Sequence, residues 1–122
     1  MGLNVLAMEY CGYGLYSDDE SNENNIKRDS KSLIGYIVDE LNFHPSKIIL
    51  CGRSIGCHFA ISLAKYFPVH SLILIAPFSS IKQFVRDWFG KLCEILIRDS
   101  MSNICLAKFI TCPTLIIHGE LD

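Results

Sequence analysis

The stretch "KIILCGRSIGCHFA", residues 47–60, joins a run of branched apolar residues to a helix-like segment through a Gly-Arg-Ser-Ile-Gly turn. The apolar run predicts a buried strand, and the segment at 55–67, which ends before a proline, predicts a helix. Ser54 therefore stands at the tip of the strand, between Gly52 and Gly56. Such a serine is either the N-cap of a helix in a plain tight turn or a reactive group aimed at a site.

The local pattern favours the reactive serine. A strand, a G-x-S-x-G turn and a helix form a nucleophile elbow, in which the serine occupies a sharp and strained turn. Gly52 and Gly56 let the strand and the helix pass closely where a Cβ atom would clash. Ser54 Oγ then lies at the carboxyl end of the sheet, where open α/β folds bind their ligands. The N–H of Ile55, at the positive end of the helix, could donate to a developing oxyanion, and such donors are worth on the order of 10²–10³ in turnover.

Strand-like and helix-like segments alternate along the chain. The predicted strands cover residues 5–9, 47–51, 71–76 and 114–118. The predicted helices cover residues 26–41, 55–67 and 81–98, and residues 101–109 are irregular or form a short helix. The strands are unbroken apolar runs, which indicates parallel strands that are buried on both faces and joined by helical crossovers. We therefore predict a single α/β domain with a mostly parallel sheet flanked by helices.

Composition narrows the function classes. The chain has 122 residues, of which 50% are hydrophobic and 20% are charged, and this balance is globular. The formal net charge is −2 with no cluster of Lys and Arg, which argues against nucleic-acid binding through a basic face. No targeting signal is visible, and the longest apolar runs fall far below the roughly 20 residues of a membrane helix.

The cysteine pattern indicates a reducing compartment. None of the six cysteines forms a C-x-x-C pair, and no spacing with histidine suggests a metal site. We expect them to be reduced and buried or half-buried, as fits a cytosolic setting.

A serine hydroxyl needs a base, usually a histidine held by an acid. Behind a nucleophile elbow these partners follow in the order serine, acid, histidine. The segment "CPTLIIHGELD", residues 112–122, ends at Asp122, in a loop beyond a buried strand and therefore at the same sheet edge as Ser54. Asp122 is the best candidate for the acid, and Glu120 in the same loop is the alternative.

None of the four histidines fits the base. His118 precedes the acid and is expected to brace its loop, and His58 lies on the body of the helix after Ser54. His44 and His70 precede strands, at the opposite edge of the sheet. We expect the base to come from outside these residues.

Three segments in order resemble a known family. They are "LAMEYCGYGLYS" at 6–17, "ILCGRSIGCHFAISLA" at 49–64 and "CPTLIIHGELD" at 112–122. Together they look like the cytosolic α/β-hydrolase-domain serine hydrolases, nearest to the depalmitoylase-like branch and the related Bem-type hydrolases. The segment "LILIAPFSSI" at 72–81 is similar to the same branch, so the resemblance covers nearly the whole chain.

The resemblance implies Ser54 as nucleophile, Asp122 as triad acid and the Ile55 N–H as one oxyanion donor. It implies an ester or thioester hydrolase that uses no cofactor or metal, with acyl lipids or acylated proteins as substrates, protein depalmitoylation included. The expected location is cytoplasmic, with peripheral membrane association through other segments left open. The alternative is a catalytically inactive α/β-hydrolase-like fragment or scaffold.

The chain also departs from the family pattern. Cys11 replaces the proline of the usual Glu-Tyr-Pro-Gly-Tyr-Gly motif. The family's second oxyanion donor comes from a His-Gly-type loop before residue 1, and its catalytic histidine comes after residue 122. The resemblance thus implies one incomplete domain over residues 1–122 that starts after the oxyanion-loop strand, ends at the triad acid and has negligible turnover alone. A central strand would be missing, so residues 5–9 are expected to pair directly with residues 47–51.

Overall fold

A computed structural model describes residues 2–90 and 100–120, apart from the side chain of Trp88. In chain order the elements are α1 (Glu23–Asp39), a 3-10 turn (Pro45–Lys47), β1 (Ile49–Arg53), α2 (Ile55–Tyr66), β2 (Ser71–Ile75), α3 (Ile81–Phe89), α4 (Asn103–Ala107) and β3 (Thr114–Ile117). None of the helices in the described ranges is both long and apolar enough to cross a lipid bilayer.

The three strands form one parallel sheet in the order β1-β2-β3. Leu72 lies at its centre, opposite Leu50 on β1 and Thr114 on β3. Parallel neighbours need crossover connections, and α2 supplies the one between β1 and β2. The predicted α/β class, with a parallel sheet flanked by helices, is confirmed.

The predicted strand at residues 5–9 is wrong. This segment has no regular structure, and Val5 and Leu6 are 89% and 63% exposed. Its predicted pairing with residues 47–51 is wrong as well, because β1 pairs only with β2 in the described ranges. The apolar residues that follow pack on a helix instead: Cys11 is fully buried in a cluster with Phe59 of α2. A strand needs a neighbouring strand to bond its backbone N–H and C=O groups. Cys11 instead packs against α2, so the chain after residue 9 is held by side-chain contacts with a helix.

Among the described residues the core lies on one face of the sheet, which corrects the expected burial of both faces. Leu72 and Leu74 of β2 point toward α2 and are 1% and 5% exposed. Every residue of β3 is exposed, Leu115 and Ile117 at 55% and 48%. The reason is that α2 and α4 pack together on the same face, while α1 packs on α2.

Capping residues explain where the remaining elements begin and end. The side chain of Asn22 accepts a hydrogen bond from the Asn25 N–H at 2.9 Å, so α1 begins three residues before the predicted helix. The 3-10 turn occupies Pro45–Lys47 and shifts the predicted strand 47–51 to Ile49–Arg53. The first part of the predicted helix 81–98 is confirmed as α3, which ends at Phe89, before Gly90 at φ 87°. Residues 91–98 of that prediction lie outside the described residues.

The cysteines in the described ranges are free, and their burial is mixed. Cys11 and Cys57 are buried and Cys112 is half-buried, as expected. Cys51 and Cys105 are exposed, against expectation, because they lie on surfaces that no described element covers. The sixth cysteine lies outside the described residues.

Truncating a buried side chain at the centre of the sheet should destabilise the domain. We expect Leu72→Ala to lower the free energy of unfolding by about 2–5 kcal/mol, because it removes a buried side chain and leaves a cavity. The matched control is Leu115→Ala on the neighbouring strand, where the side chain is exposed and the change should stay within about 0.5 kcal/mol. Equal losses in urea unfolding would contradict the one-sided core.

Candidate functional site

Ser54 occupies a strained turn between β1 and α2. Its backbone has φ 50° and ψ −120°, in the region that side chains other than glycine rarely adopt. Such a conformation costs on the order of 1–3 kcal/mol and persists only where the surroundings enforce it. The side chain of Ser54 is exposed and makes no capping hydrogen bond. Ser54 thus occupies the N-cap position of α2 without a side-chain cap, and its hydroxyl is left for other contacts.

The two glycines of the turn meet different neighbours. A Cβ atom on Gly52 would lie 2.6 Å from the carbonyl oxygen of Gly56 and 2.7 Å from Cα of Cys57, so no side chain fits there. Gly52 is thus the point where the backbone of α2 crosses the end of β1. A Cβ atom on Gly56 would lie 3.3 Å from the hydroxyl of Tyr10. Gly56 therefore makes room for a side chain of the N-terminal segment and not for the strand.

Hydrogen bonds fix the turn on the sheet. The Ser54 N–H donates to the Ile75 carbonyl at 2.9 Å, and the Cys57 N–H donates to the Ser54 carbonyl at 3.0 Å. The Cys57 thiol lies 3.2 Å from the Gly52 carbonyl and 3.4 Å from the Ile75 carbonyl. Burial raises the pKa of this thiol, which keeps it protonated as a donor. Ile55 is the first residue of α2, so its N–H has no acceptor within the helix.

Tyr10 closes the turn from the other side. Its ring packs edge-on against Phe59 at 5.6 Å between centroids, and its hydroxyl approaches Gly56. Burial, with a smaller contribution from Cys57, raises the pKa of Tyr10, so the phenol stays neutral. Composition and periodicity gave no sign of this contact, because Tyr10 precedes the turn by more than forty residues.

The carboxyl ends of the three strands meet at one edge. The Ala76 N–H, just after β2, donates to the Ile117 carbonyl at the end of β3 at 2.8 Å. Glu120, the alternative acid, is exposed in the segment that follows β3. Asp122, the predicted triad acid, lies outside the described residues. The edge thus carries Ser54 and Glu120, while the position of Asp122 stays a prediction.

Each histidine has a partner other than Ser54. His118 donates from Nδ1 to the Gly119 carbonyl at 3.0 Å, and His44 accepts from the Ser46 N–H at 3.3 Å. His70 is exposed just before β2, at the opposite edge of the sheet, and its Nδ1 lies 3.2 Å from Ser71 Oγ. His58 is 2% exposed and bonded to Asn103 and Glu23. Across the described residues no group of three or more His, Cys, Asp or Glu side chains could hold a metal ion.

Known proteins similar to this chain carry the same fold. No protein-family model matches the chain. The chain is 30% identical over its full length to α/β-hydrolase domain-containing protein aho-3 of Caenorhabditis elegans and covers 36% of that protein. It is 29% identical over 98% of its length to human α/β-hydrolase domain-containing protein 17B, of which it covers 40%. The crystal structure of an α/β hydrolase from Vibrio vulnificus is similar to this chain, with a TM-score of 0.67 and 22% sequence identity. The match covers 78% of this chain and 39% of the Vibrio chain.

These likenesses define the class. The chain has the α/β-hydrolase fold. It is a relative of the α/β-hydrolase domain-containing proteins, and it spans about a third to under half the length of the curated relatives it matches.

The close approach at Gly52 should make it irreplaceable. We expect Gly52→Ala to lower the free energy of unfolding by about 1–3 kcal/mol or more, since the new Cβ would overlap the backbone of α2. The same substitution at Gly35 is the control: it lies within α1 with only Asp39 Oδ2 near, at 3.8 Å. There alanine should stabilise by about 0.5–1 kcal/mol. Similar unfolding midpoints for both variants would rule out the tight crossing.

Proposed function

We propose that this chain carries the nucleophile of a serine hydrolase that cleaves ester or thioester bonds through an acyl-enzyme on Ser54. The observation that carries the proposal is the strained backbone of Ser54, whose hydroxyl is exposed and makes no capping bond. A fold maintains such strain where the side chain has a task that a relaxed turn would not allow. The α/β-hydrolase names of the relatives support a hydrolase.

The reaction proceeds in two halves. Ser54 Oγ attacks the acyl carbonyl while a histidine base, supplied from outside these 122 residues, takes the hydroxyl proton. The Ile55 N–H donates to the oxyanion, and Asp122 orients the base. The base then returns the proton to the departing alcohol or thiol. Water attacks the acyl-enzyme in the second half and releases the acid, which restores the Ser54 hydroxyl.

An acyl chain is the favoured substrate group. Phe84 and Phe89 on α3 are 45% and 67% exposed, so at least part of each ring is open to a ligand. Exposed aromatic rings of this kind could contact an acyl chain, and α3 begins six residues after the end of β2. Acyl lipids and acylated proteins, including palmitoylated ones, are the substrate classes that the sequence resemblance favours.

A non-enzymatic role is the second candidate. Among the described residues no base is hydrogen-bonded to Ser54, and the four histidines have other partners or lie at the opposite sheet edge. An α/β-hydrolase-like scaffold would also keep the fold while lacking turnover. The two candidates differ in the reactivity of Ser54.

Covalent labelling tests the nucleophile. The full-length protein should react with a fluorophosphonate probe, and Ser54→Ala should abolish labelling, because the probe bonds only to an activated serine oxygen. Ser32→Ala is the control, since this exposed serine lies within α1 and its hydroxyl donates to the Arg28 carbonyl. Labelling that persists in Ser54→Ala would show that Ser54 is not the nucleophile.

The 122-residue chain by itself should turn over esters negligibly, because its histidines are engaged away from Ser54. Hydrolysis of a p-nitrophenyl ester would be followed for the chain and for its Ser54→Ala variant. The two rates should be equal within error. Turnover that matches an intact α/β hydrolase and disappears in the variant would show that a base is present within these residues.

A further inference from the structure

The loop at residues 76–80 runs directly beside the candidate nucleophile. Ser54 donates its N–H to the Ile75 carbonyl, the last of β2, so the loop begins at the neighbouring strand end. Ala76 opens the loop with φ 49°, a conformation that costs free energy in a residue with a Cβ atom. A loop that leaves the sheet through such a turn must be held by contacts beyond the sheet.

Asn103, the first residue of α4, holds this loop. Its side-chain Nδ2 donates to the Phe78 carbonyl at 2.8 Å, and its backbone N–H donates to the Ser79 carbonyl at 2.9 Å. The Ile104 N–H donates to the same Ser79 oxygen at 3.1 Å. Asn103 is 4% exposed, so these bonds form away from water. The loop is thus fixed by one buried amide and the first turn of one short helix.

His58 orients that amide. Its Nδ1 lies 2.8 Å from Asn103 Oδ1, and its side chain is 2% exposed. Because Nδ2 of Asn103 donates to Phe78, the atom facing His58 is the carbonyl oxygen, which can only accept. His58 therefore carries its proton on Nδ1. Without that donor the amide oxygen would be buried and unsatisfied, or would turn and break the bond to the loop.

The other ring nitrogen serves a different contact. His58 Nε2 lies 3.2 Å from Glu23 Oε1, and Glu23 also pairs with Lys27 one turn along α1. Since Nδ1 already carries a proton, this second bond forms fully only when the imidazole is protonated on both nitrogens. Burial lowers the pKa of His58, while its bonds to Asn103 and Glu23 oppose that shift. The Glu23 contact thus depends on a second proton and the Asn103 contact does not.

We propose that His58 and Asn103 are positioning residues for the Ser54 site: His58 Nδ1–H orients the Asn103 amide, and Asn103 fixes the loop 76–80 beside the nucleophile. The loop is the wall of the site on the side of β2, so its position shapes the space beside Ser54 where an acyl group would lie. This last step rests on the proposed function. The positioning itself rests only on the contacts above.

Two substitutions at His58 separate its two nitrogens. Asparagine places its Nδ2 where the imidazole has Nδ1, and glutamine places its Nε2 where the imidazole has Nε2. His58→Asn therefore keeps a donor for Asn103, whereas His58→Gln keeps one only for Glu23. Both remove the ring, so they serve as controls for each other with respect to lost packing.

Two measurements follow the loop and the nucleophile. Hydrogen exchange of the Asn103 and Ile104 amides reports their bonds to Ser79, and the rate of fluorophosphonate labelling reports Ser54. His58→Gln should speed the exchange of both amides at least about tenfold and slow labelling about 10–100-fold, because a misplaced wall costs orientation. His58→Asn should stay within about threefold of the wild type in both measurements.

Equal losses in the two variants would overturn the proposal, because a packing role alone does not distinguish them. Unchanged exchange in His58→Gln would overturn it as well. If His58→Gln fails to fold, Asn103→Asp decides instead, since it keeps an acceptor for His58 and loses the donor to Phe78: retained amide protection there refutes the role of Asn103. If the wild type is not labelled at all, the proposed function fails, while exchange still decides the positioning.

Discussion

The crossing of α2 over the end of β1 at Gly52 is the constraint on which the rest of the structure depends. A Cβ atom there would lie 2.6 Å from the backbone of α2, so at this point the main chains of helix and strand are in direct contact. This contact leaves one residue, Ser54, to reverse the chain direction between strand and helix. In this reversal Ser54 adopts φ 50°, and the Ile55 N–H at the start of α2 has no acceptor within the helix. The conformation of the serine turn therefore depends on this backbone contact.

The strain of the turn is small beside what holds it. Eight consecutive residues of α2, Cys57 to Ala64, are buried. Burial of each large apolar side chain among them, such as Phe59 or Ile61, contributes about 1.5–3 kcal/mol, against about 1–3 kcal/mol of strain at Ser54. The helix is thus anchored firmly enough to keep the turn closed. The Cys57 thiol lies 3.2 Å from the Gly52 carbonyl and 3.4 Å from the Ile75 carbonyl, so its single S–H can bond to either and ties α2 to the ends of β1 and β2.

The sequence predicted what is local and missed what depends on partners. The turn at residues 52–56 is a contiguous pattern whose sterics can be worked out from glycine positions, and the fold class follows from the alternation of apolar runs. The prediction of a strand at residues 5–9 was wrong, because the apolar character of a segment does not show whether a partner strand is available. The prediction that both faces of the sheet are buried was wrong for the same reason, since the sequence of a strand does not show which helices cover it. The contact of His58 with Asn103 spans 45 residues and has no periodicity that would reveal it.

The position of the core on one face of the sheet also determines which substitutions affect the geometry of the site. The elements that shape the surroundings of Ser54 lie on the α2 face: α2 itself, α4 with Asn103, and the core beneath them. On the opposite face Cys51, Ile73 and Leu115 form a row in register across the sheet, and Cys51 and Leu115 are exposed. Exposed apolar rows of this kind govern association and solubility more than local geometry. The geometry of the turn is therefore set from one side of the sheet, and the exposed face can vary with little effect on the backbone of Ser54.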